Sequence, residues 1–179
     1  MKRISFLVVA AVCLMVALTV QSAPRPTGAI KVPAYLVLDL KIDNKPVTVP
    51  SGREVTMPAA TYTPACITAQ AAAPGKTKAE IWSIKCTGPF GNVASIEVQQ
   101  GATSAIDAGP PLTLKPIIYA VTNSPQGKVI PIGLAIIGKA DEYYAANSLK
   151  KGMSSVPPPQ FQILDETGKV LTQGAFEYG

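Results

Sequence analysis

Apolar and polar residues alternate over many short stretches of the chain, and a period of two predicts strands with one buried face. In residues 78–86, Trp82, Ile84 and Cys86 fall on one face, and Ile81, Ser83 and Lys85 fall on the other. Trp82 is the only tryptophan and can bury a large apolar area. The pattern therefore predicts a core that forms against this strand.

The same alternation recurs at short intervals, with turns rich in proline and glycine in between. It predicts strands over 34–42, 46–49, 53–57, 61–68, 92–100, 103–107, 117–122, 129–137, 161–164 and 170–178. This spacing favours an all-β antiparallel β-sandwich over βαβ units. A break near Lys115 and Pro116 predicts two abutting β-subdomains, 34–115 and 116–179.

One segment departs from the strand pattern. Residues 141–150 predict a short helix that ends before Gly152. Asp141 would serve as its N-cap, and Glu142 would lie near the positive end of the helix dipole.

The first 22 residues have the three parts of a signal peptide. Lys2 and Arg3 precede an apolar run over residues 4–20, and small residues at 20 and 22 suit a cleavage site. Cleavage near Ala23 predicts an exported protein, in the periplasm, at the cell surface or secreted, with no membrane span left. An uncleaved anchor is the alternative. Residues 23–33, with three prolines, predict a flexible linker.

The charge pattern argues against nucleic acid as a partner. The chain has 16 Lys and Arg against 11 Asp and Glu, and without the two basic leader residues the net charge falls from +5 to +3. No basic cluster exceeds Lys150-Lys151, and no aromatic residues interleave with one.

Two cysteines, Cys66 and Cys86, remain after the leader. An even count in an exported chain favours a disulfide. Pairing of the strands that carry them predicts a Cys66–Cys86 bond. A metal site would need further ligands, which the chain does not offer at a suitable spacing.

Three segments resemble secreted bacterial proteins. Residues 57–62, M-P-A-A-T-Y, are similar to the "L-P-A-G-x-Y" strand entry of bacterial β-sandwich modules, with Ala60 in place of the glycine. Residues 108–112 resemble a "G-P-P" link between two β-parts, and residues 168–179 resemble the "G-K-V-L-x-x-G-x-F-E-Y-G" ending of short exported proteins. The resemblance implies an immunoglobulin-like or transthyretin-like fold and no particular reaction.

The chain offers few groups for catalysis. It has no histidine, which is the commonest general base, and no glycine-rich phosphate loop. Asp141-Glu142 and Asp165-Glu166 are the candidate carboxylate pairs. The second pair lies in a predicted hairpin turn, where acidic residues are ordinary.

Tyr143 and Tyr144 follow the first carboxylate pair, so residues 141–144 form a candidate ligand surface. The alternative is that one tyrosine packs under the sandwich while the other is exposed. Asp39, Asp43 and Asp107 match no calcium-loop spacing. We therefore expect a non-catalytic exported protein without a metal or cofactor, which binds an envelope protein, peptide or glycan. A small carboxylate-dependent hydrolase is the alternative.

Overall fold

The computed structural model of the chain describes residues 25–72, 81–125 and 127–177. These residues are all-β, and several antiparallel sheets pack together as a β-sandwich, as the strand pattern predicts. The predicted signal peptide, the cleavage site at Ala23 and the last two residues of the C-terminal motif lie outside the described residues.

The strands of the described ranges follow one another at short intervals. In chain order they are β1 (Thr27–Lys31), β2 (Leu36–Ile42), β3 (Lys45–Val49), β4 (Glu54–Pro58), β5 (Ala60–Tyr62), β6 (Pro64–Ala72), β7 (Ile81–Cys86), β8 (Ile96–Val98), β9 (Thr103–Ala105), β10 (Thr113–Ile118), β11 (Thr122–Ser124), β12 (Gly127–Val129), β13 (Ile132–Ile137), β14 (Tyr143–Tyr144), β15 (Lys150–Lys151), β16 (Ser154–Ser155), β17 (Gln160–Leu164) and β18 (Val170–Ala175). Gly91–Val93 and Ala146–Ser148 are short 3-10 segments.

The largest sheet has six strands in the order β16-β15-β7-β6-β2-β3. Smaller sheets, β4-β1-β9, β5-β8 and β10-β13-β14, contribute further buried side chains to the same core. Asp43 and Asn44 join β2 to β3 and both have positive φ, at 49° and 61°. Two such residues in succession are typical of the two-residue turns that link antiparallel strands.

The core is centred on β2, and the prediction that it forms around Trp82 is wrong. Leu36, Leu38 and Leu40 alternate along β2 and are at most 1% exposed, whereas Trp82 is 38% exposed. Trp82 lies opposite Ala71 and Lys151, near the end of β7. Ile84 and Cys86 share its face and are buried. The alternation therefore identified which face of β7 points inward, but it did not show that the core ends before Trp82.

The predicted linker contains a strand. β1 pairs antiparallel with β4 and parallel with β9, and Ile30 is completely buried. A Cβ on Gly28 would collide with the carbonyl oxygen of Gln99. Glycine allows this close approach of two backbones, so residues 27–31 belong to the sandwich.

The predicted subdomain boundary falls inside a strand, because Lys115 and Pro116 both lie in β10. The second half of the chain also adds strands to the largest sheet. Lys150 pairs with Ser83 and Lys151 pairs with Trp82, so β15 extends the sheet beyond β7. The two halves therefore share one sheet.

The predicted helix over 141–150 does not form. Its place is taken by β14, a 3-10 segment and β15. Backbone donors of this stretch bond to distant partners, since Tyr143 N donates to Pro89 O and Ala145 N donates to Lys85 O. Asp141 has a positive φ of 61°, which a helix N-cap does not adopt. Tertiary pairing thus overrides the local helix signal.

Both cysteines are free thiols, so the predicted Cys66–Cys86 bond is not formed. The expected pairing of β6 with β7 does occur, but its register places Cys86 opposite Ile67. Because side chains alternate along a strand, Cys66 points to the other face of the sheet. A one-residue offset in register therefore separates the two sulfur atoms.

Candidate functional site

The four residues of the candidate ligand surface, 141–144, alternate between exposed and buried positions. Asp141 and Tyr143 are exposed, whereas Glu142 is fully buried and Tyr144 is 4% exposed. The alternative that one tyrosine packs in the core while the other stays at the surface is therefore correct. Only half of the predicted group is accessible to a ligand.

The Glu142 carboxylate is held by three donors. Oε1 accepts hydrogen bonds from Gly109 N and from the Tyr144 hydroxyl, the latter at 3.0 Å, and Oε2 accepts one from Ala140 N at 2.8 Å. The described residues contain no buried side-chain nitrogen or oxygen without a partner. Hydrogen bonding of this kind is what a buried carboxylate requires.

Two positions around this carboxylate require glycine. A Cβ on Gly138 would collide with Oε1 of Glu142, and a Cβ on Gly109 would press against Leu36. Gly109 also has a φ of +91°, which side chains rarely adopt. Glu142 thereby ties the chain at Gly109 to the β13–β14 turn, and its role is structural.

Burial changes the acidity of the neighbouring groups. The pKa of the Tyr144 phenol is raised, first because burial disfavours the phenolate and second because the Glu142 carboxylate lies beside it. Burial likewise raises the pKa of the Cys86 thiol, whose Sγ donates to the carbonyl oxygen of Pro89 at 3.4 Å. Both groups therefore stay neutral, and Cys86 lacks the thiolate character of a nucleophile.

The accessible part of the predicted surface is small. Asn92 Nδ2 donates to Asp141 Oδ2 at 3.3 Å, and Tyr143 is 42% exposed. An amide, a carboxylate and one aromatic ring can form polar contacts with a ligand. They do not supply a second carboxylate for acid–base hydrolysis, because Glu142 is enclosed.

Asp165 stabilises the final hairpin turn, as its position in the sequence predicts. Its Oδ1 accepts from Thr167 N at 2.9 Å, from Thr167 Oγ1 at 2.7 Å and from Lys169 N at 3.0 Å. These bonds, chiefly the one from the Thr167 hydroxyl, lower the pKa of the carboxyl group. Glu166 beside it is exposed.

Two further acidic residues form side-chain contacts with their neighbours. Asp39 accepts from Thr48 Oγ1 at 2.6 Å, and Asp107 forms an ion pair with Lys139. Within the described ranges, no group of three or more potential metal ligands comes together.

A larger accessible surface lies on a long hairpin that we call the arm, residues 113–137. β10 pairs with β13 from Thr113–Ile137 to Ile118–Ile132, and β11 pairs with β12 near the tip. Many of its apolar side chains are exposed: Leu114 62%, Ile118 71%, Tyr119 53%, Val121 55%, Val129 45% and Ile130 55%. Exposed apolar groups in such a cluster mark interaction surfaces.

The arm borders a second hairpin, residues 160–177, which we call the C-terminal hairpin. A groove of about 510 Å³ lies between them, with Ile132 and Leu134 on one side and Phe161, Ile163 and Phe176 on the other. The ring centroids of Phe161 and Phe176 lie 5.2 Å apart, so the two rings contact each other within the C-terminal hairpin.

The sequence pattern placed Ile130, Ile132, Leu134 and Ile136 on one face, but it did not show that exposure of this face increases from Ile136, through the half-buried groove residues Ile132 and Leu134, to Ile130. Ile136 is buried and Ile130 is 55% exposed. Alternation reports that a strand has an apolar face, whereas the tertiary fold decides what covers it.

Comparison with known proteins gives no relative for this chain: no protein-family model, curated protein or solved structure matches it. None of the helical segments that the structure describes is long and apolar enough to span a membrane.

Proposed function

We propose that the chain is an exported, non-catalytic β-sandwich protein with a binding or accessory role at the cell envelope. The observation that carries the proposal is the open apolar surface of the arm, where Leu114 and Ile118 are 62% and 71% exposed. The signal-peptide pattern of residues 1–22 supports export. Partners of this class are an envelope protein, a peptide or a glycan.

Two further observations support binding over catalysis. Glu142, one of the candidate catalytic acids, has both carboxylate oxygens engaged in a buried network. Asp165, which is partly buried, is likewise engaged in its own turn. Catalysis requires reactive groups that are positioned toward a shared, accessible point, whereas binding requires only a complementary surface.

Retention of the full chain in the envelope fraction tests the proposal. Ile118→Ser should reduce retention about tenfold, because it removes an apolar anchor from the arm at little cost to folding. Met153→Ser is the matched control, since Met153 is 96% exposed but lies in the turn between β15 and β16. Tyr143→Ala tests the smaller surface in the same assay.

Wild-type retention of the Ile118→Ser variant would contradict the proposal for the arm. Turnover of a glycan or peptide that disappears in Asp141→Asn would contradict the non-catalytic role.

A further inference from the structure

The C-terminal hairpin is a sheet of only two strands. β17 pairs with β18, and no third strand of the described ranges pairs with either of them. A two-stranded hairpin is marginally stable in water, so a third strand would stabilise it. The unpaired N–H and C=O groups along such an edge are a template for another extended chain.

The register of this hairpin shows which backbone groups of β17 point outward. Phe176 N donates to Pro159 O at 2.9 Å, so these two opposed residues form a hydrogen-bonded pair. In an antiparallel ladder, such pairs alternate with pairs whose N–H and C=O groups point away from the partner strand. Gln160 and Gln162 lie one and three positions beyond Pro159, so their backbone groups point outward.

The turn end of β17 gives the same result. Asp165 N donates to Lys169 O at 2.9 Å, and these opposed residues again form a hydrogen-bonded pair. The N–H and C=O groups of the preceding residue, Leu164, therefore point outward. Within the described ranges, no other backbone group bonds to this edge of β17. Alternate residues of the strand thus present a continuous row of unpaired donors and acceptors.

β17 is the regular strand of the hairpin, whereas β18 is bulged. Ile163 lies opposite Thr172 and Leu164 lies opposite Val170, so Leu171 has no opposite residue. A bulge interrupts the ladder and twists its strand, which opposes pairing of that edge with another chain. The open edge of β17 is therefore better suited to strand addition than that of β18.

Other edge strands carry protective residues that β17 lacks. β3, at one end of the largest sheet, begins with Lys45 and Pro46. β10, at one end of its own sheet, contains Lys115 and Pro116. Lysine and proline on an edge strand oppose pairing with a further chain. The sequence of β17, Q-F-Q-I-L, contains neither of them and no charge.

The two faces of β17 differ, and this difference specifies the side chains of a partner strand. Phe161 and Ile163 are half-buried and line the groove beside the arm. Gln160 and Gln162 are exposed on the other face, where Gln162 Nε2 donates to Gln173 Oε1 at 3.2 Å. Neighbouring strands pack side chain against side chain on each face. An added strand would therefore meet apolar groups on one face and amides on the other.

We propose that the open edge of β17 binds an extended peptide segment of a partner protein, in which apolar residues alternate with uncharged polar residues. The backbone of this segment pairs with Gln160, Gln162 and Leu164. Its apolar side chains pack beside Phe161 and Ile163, and its polar side chains extend the row of amides. The inference rests on the proposed binding role and specifies a peptide as the partner.

Fluorescence anisotropy of a labelled synthetic peptide, G-S-V-Q-V-Q-V-S-G, with the full mature chain tests the proposal. Gln162→Pro removes an outward N–H group and should weaken binding about tenfold or more, while the bonds between β17 and β18 remain. Gln173→Pro is the matched control, because Gln173 lies opposite Gln162 on β18. It removes the same amide contact but changes the other edge, so it should bind the peptide as the wild type does.

Two further measurements test the side chains. The peptide G-S-V-V-V-Q-Q-S-G has the same composition without the alternation and should bind about tenfold more weakly. Ile163→Thr keeps the edge of β17 and removes an apolar neighbour, so it should weaken binding of the alternating peptide about threefold. Circular dichroism should show that the variants fold, and Ile163→Thr keeps the proposal testable if a proline variant does not.

The inference would be overturned if the alternating peptide does not bind, or if Gln162→Pro or Ile163→Thr binds it as tightly as the wild type does. Dimers of the free chain that Gln162→Pro dissociates would also overturn it, because a second copy would then occupy the edge. If the envelope fraction retains both the wild type and Gln162→Pro and the peptide does not bind, the binding role stands and strand addition at β17 is excluded.

Discussion

The buried carboxylate of Glu142 links two parts of the chain that lie far apart in sequence. Its oxygens accept from Gly109 N and Ala140 N, and its backbone oxygen accepts from Gly138 N at 2.9 Å. A buried charge with all its hydrogen bonds made stabilises one arrangement of these loops, and its removal leaves the donors without partners.

Glu142→Gln should therefore lower the free energy of unfolding by about 2–4 kcal/mol, because the amide NH2 group cannot accept from the backbone donors. Chemical denaturation of the variant and the wild type measures the difference. Asp141→Asn is the adjacent control, and its exposed side chain should change stability by less than about 0.5 kcal/mol. Equal stability of Glu142→Gln and wild type would show that the network does not hold these loops.

Tyr144 makes stability depend on pH in the alkaline range. Its pKa is raised in the fold, so the native state keeps a proton that the unfolded chain releases near the ordinary tyrosine pKa of 10.0. This contribution to stability is present below pH 10 and is lost as pH rises further. Tyr144→Phe should cost about 1–2 kcal/mol at pH 7 through the lost hydrogen bond, and its stability should fall less steeply above pH 10.

Urea denaturation of both proteins between pH 8 and pH 11 isolates Tyr144, since Cys86 and the other titrating groups are common to the two chains. Parallel curves throughout this range would contradict a raised pKa.

At the scale of elements, the registers of the strands decide which side chains meet. β6 and β7 pair as their apolar patterns predict, but Cys86 lies opposite Ile67 instead of Cys66. Cys86 is completely buried, and Cys66 is partly exposed on the opposite face of the sheet.

Alkylation followed by mass measurement should find two reduced cysteines in the mature chain. The native protein should label at Cys66 without prior reduction, whereas Cys86 should label only after denaturation, because it is buried and its pKa is raised. A mature protein that takes up label only after reductant is added would mean that β6 and β7 adopt another register.

Periodicity predicted strands best where one face of the strand lies in the core, as Leu36, Leu38 and Leu40 show in β2. It failed where long-range contacts override local preference. The stretch after Asp141 has helix signals, but Pro89 and Lys85 accept its backbone N–H groups. Because Trp82 is the only tryptophan, the sequence predicted that the core is centred on it. Trp82 is in fact the second residue of β7 and is 38% exposed.

The candidate site was predictable only in part for the same reason. Alternation of Tyr143 and Tyr144 separates an exposed ring from a buried one, which was among the alternatives. The burial of Glu142 depends on Gly109, which is 33 residues away, and no local pattern reports that contact. The open face of the arm likewise depends on which parts of the chain reach it.

At the scale of the whole molecule, the sandwich core and the two hairpins differ in how well their apolar side chains are covered. Ile30, Leu36 and Leu40 are completely buried, whereas Leu114 and Ile118 of the arm are more than half exposed. Regions with few buried apolar contacts open locally at low free-energy cost. The arm is therefore the part of the described structure that a partner would stabilise most.

Hydrogen–deuterium exchange of the free chain tests this central claim most directly. Amides of β10 and β13 should exchange about tenfold or more faster than amides of β2, because few buried apolar contacts hold the arm closed. Addition of the envelope fraction that retains the chain should slow exchange in the arm and leave exchange in β2 unchanged. Exchange in the arm of the free chain that is as slow as in β2 would contradict this claim.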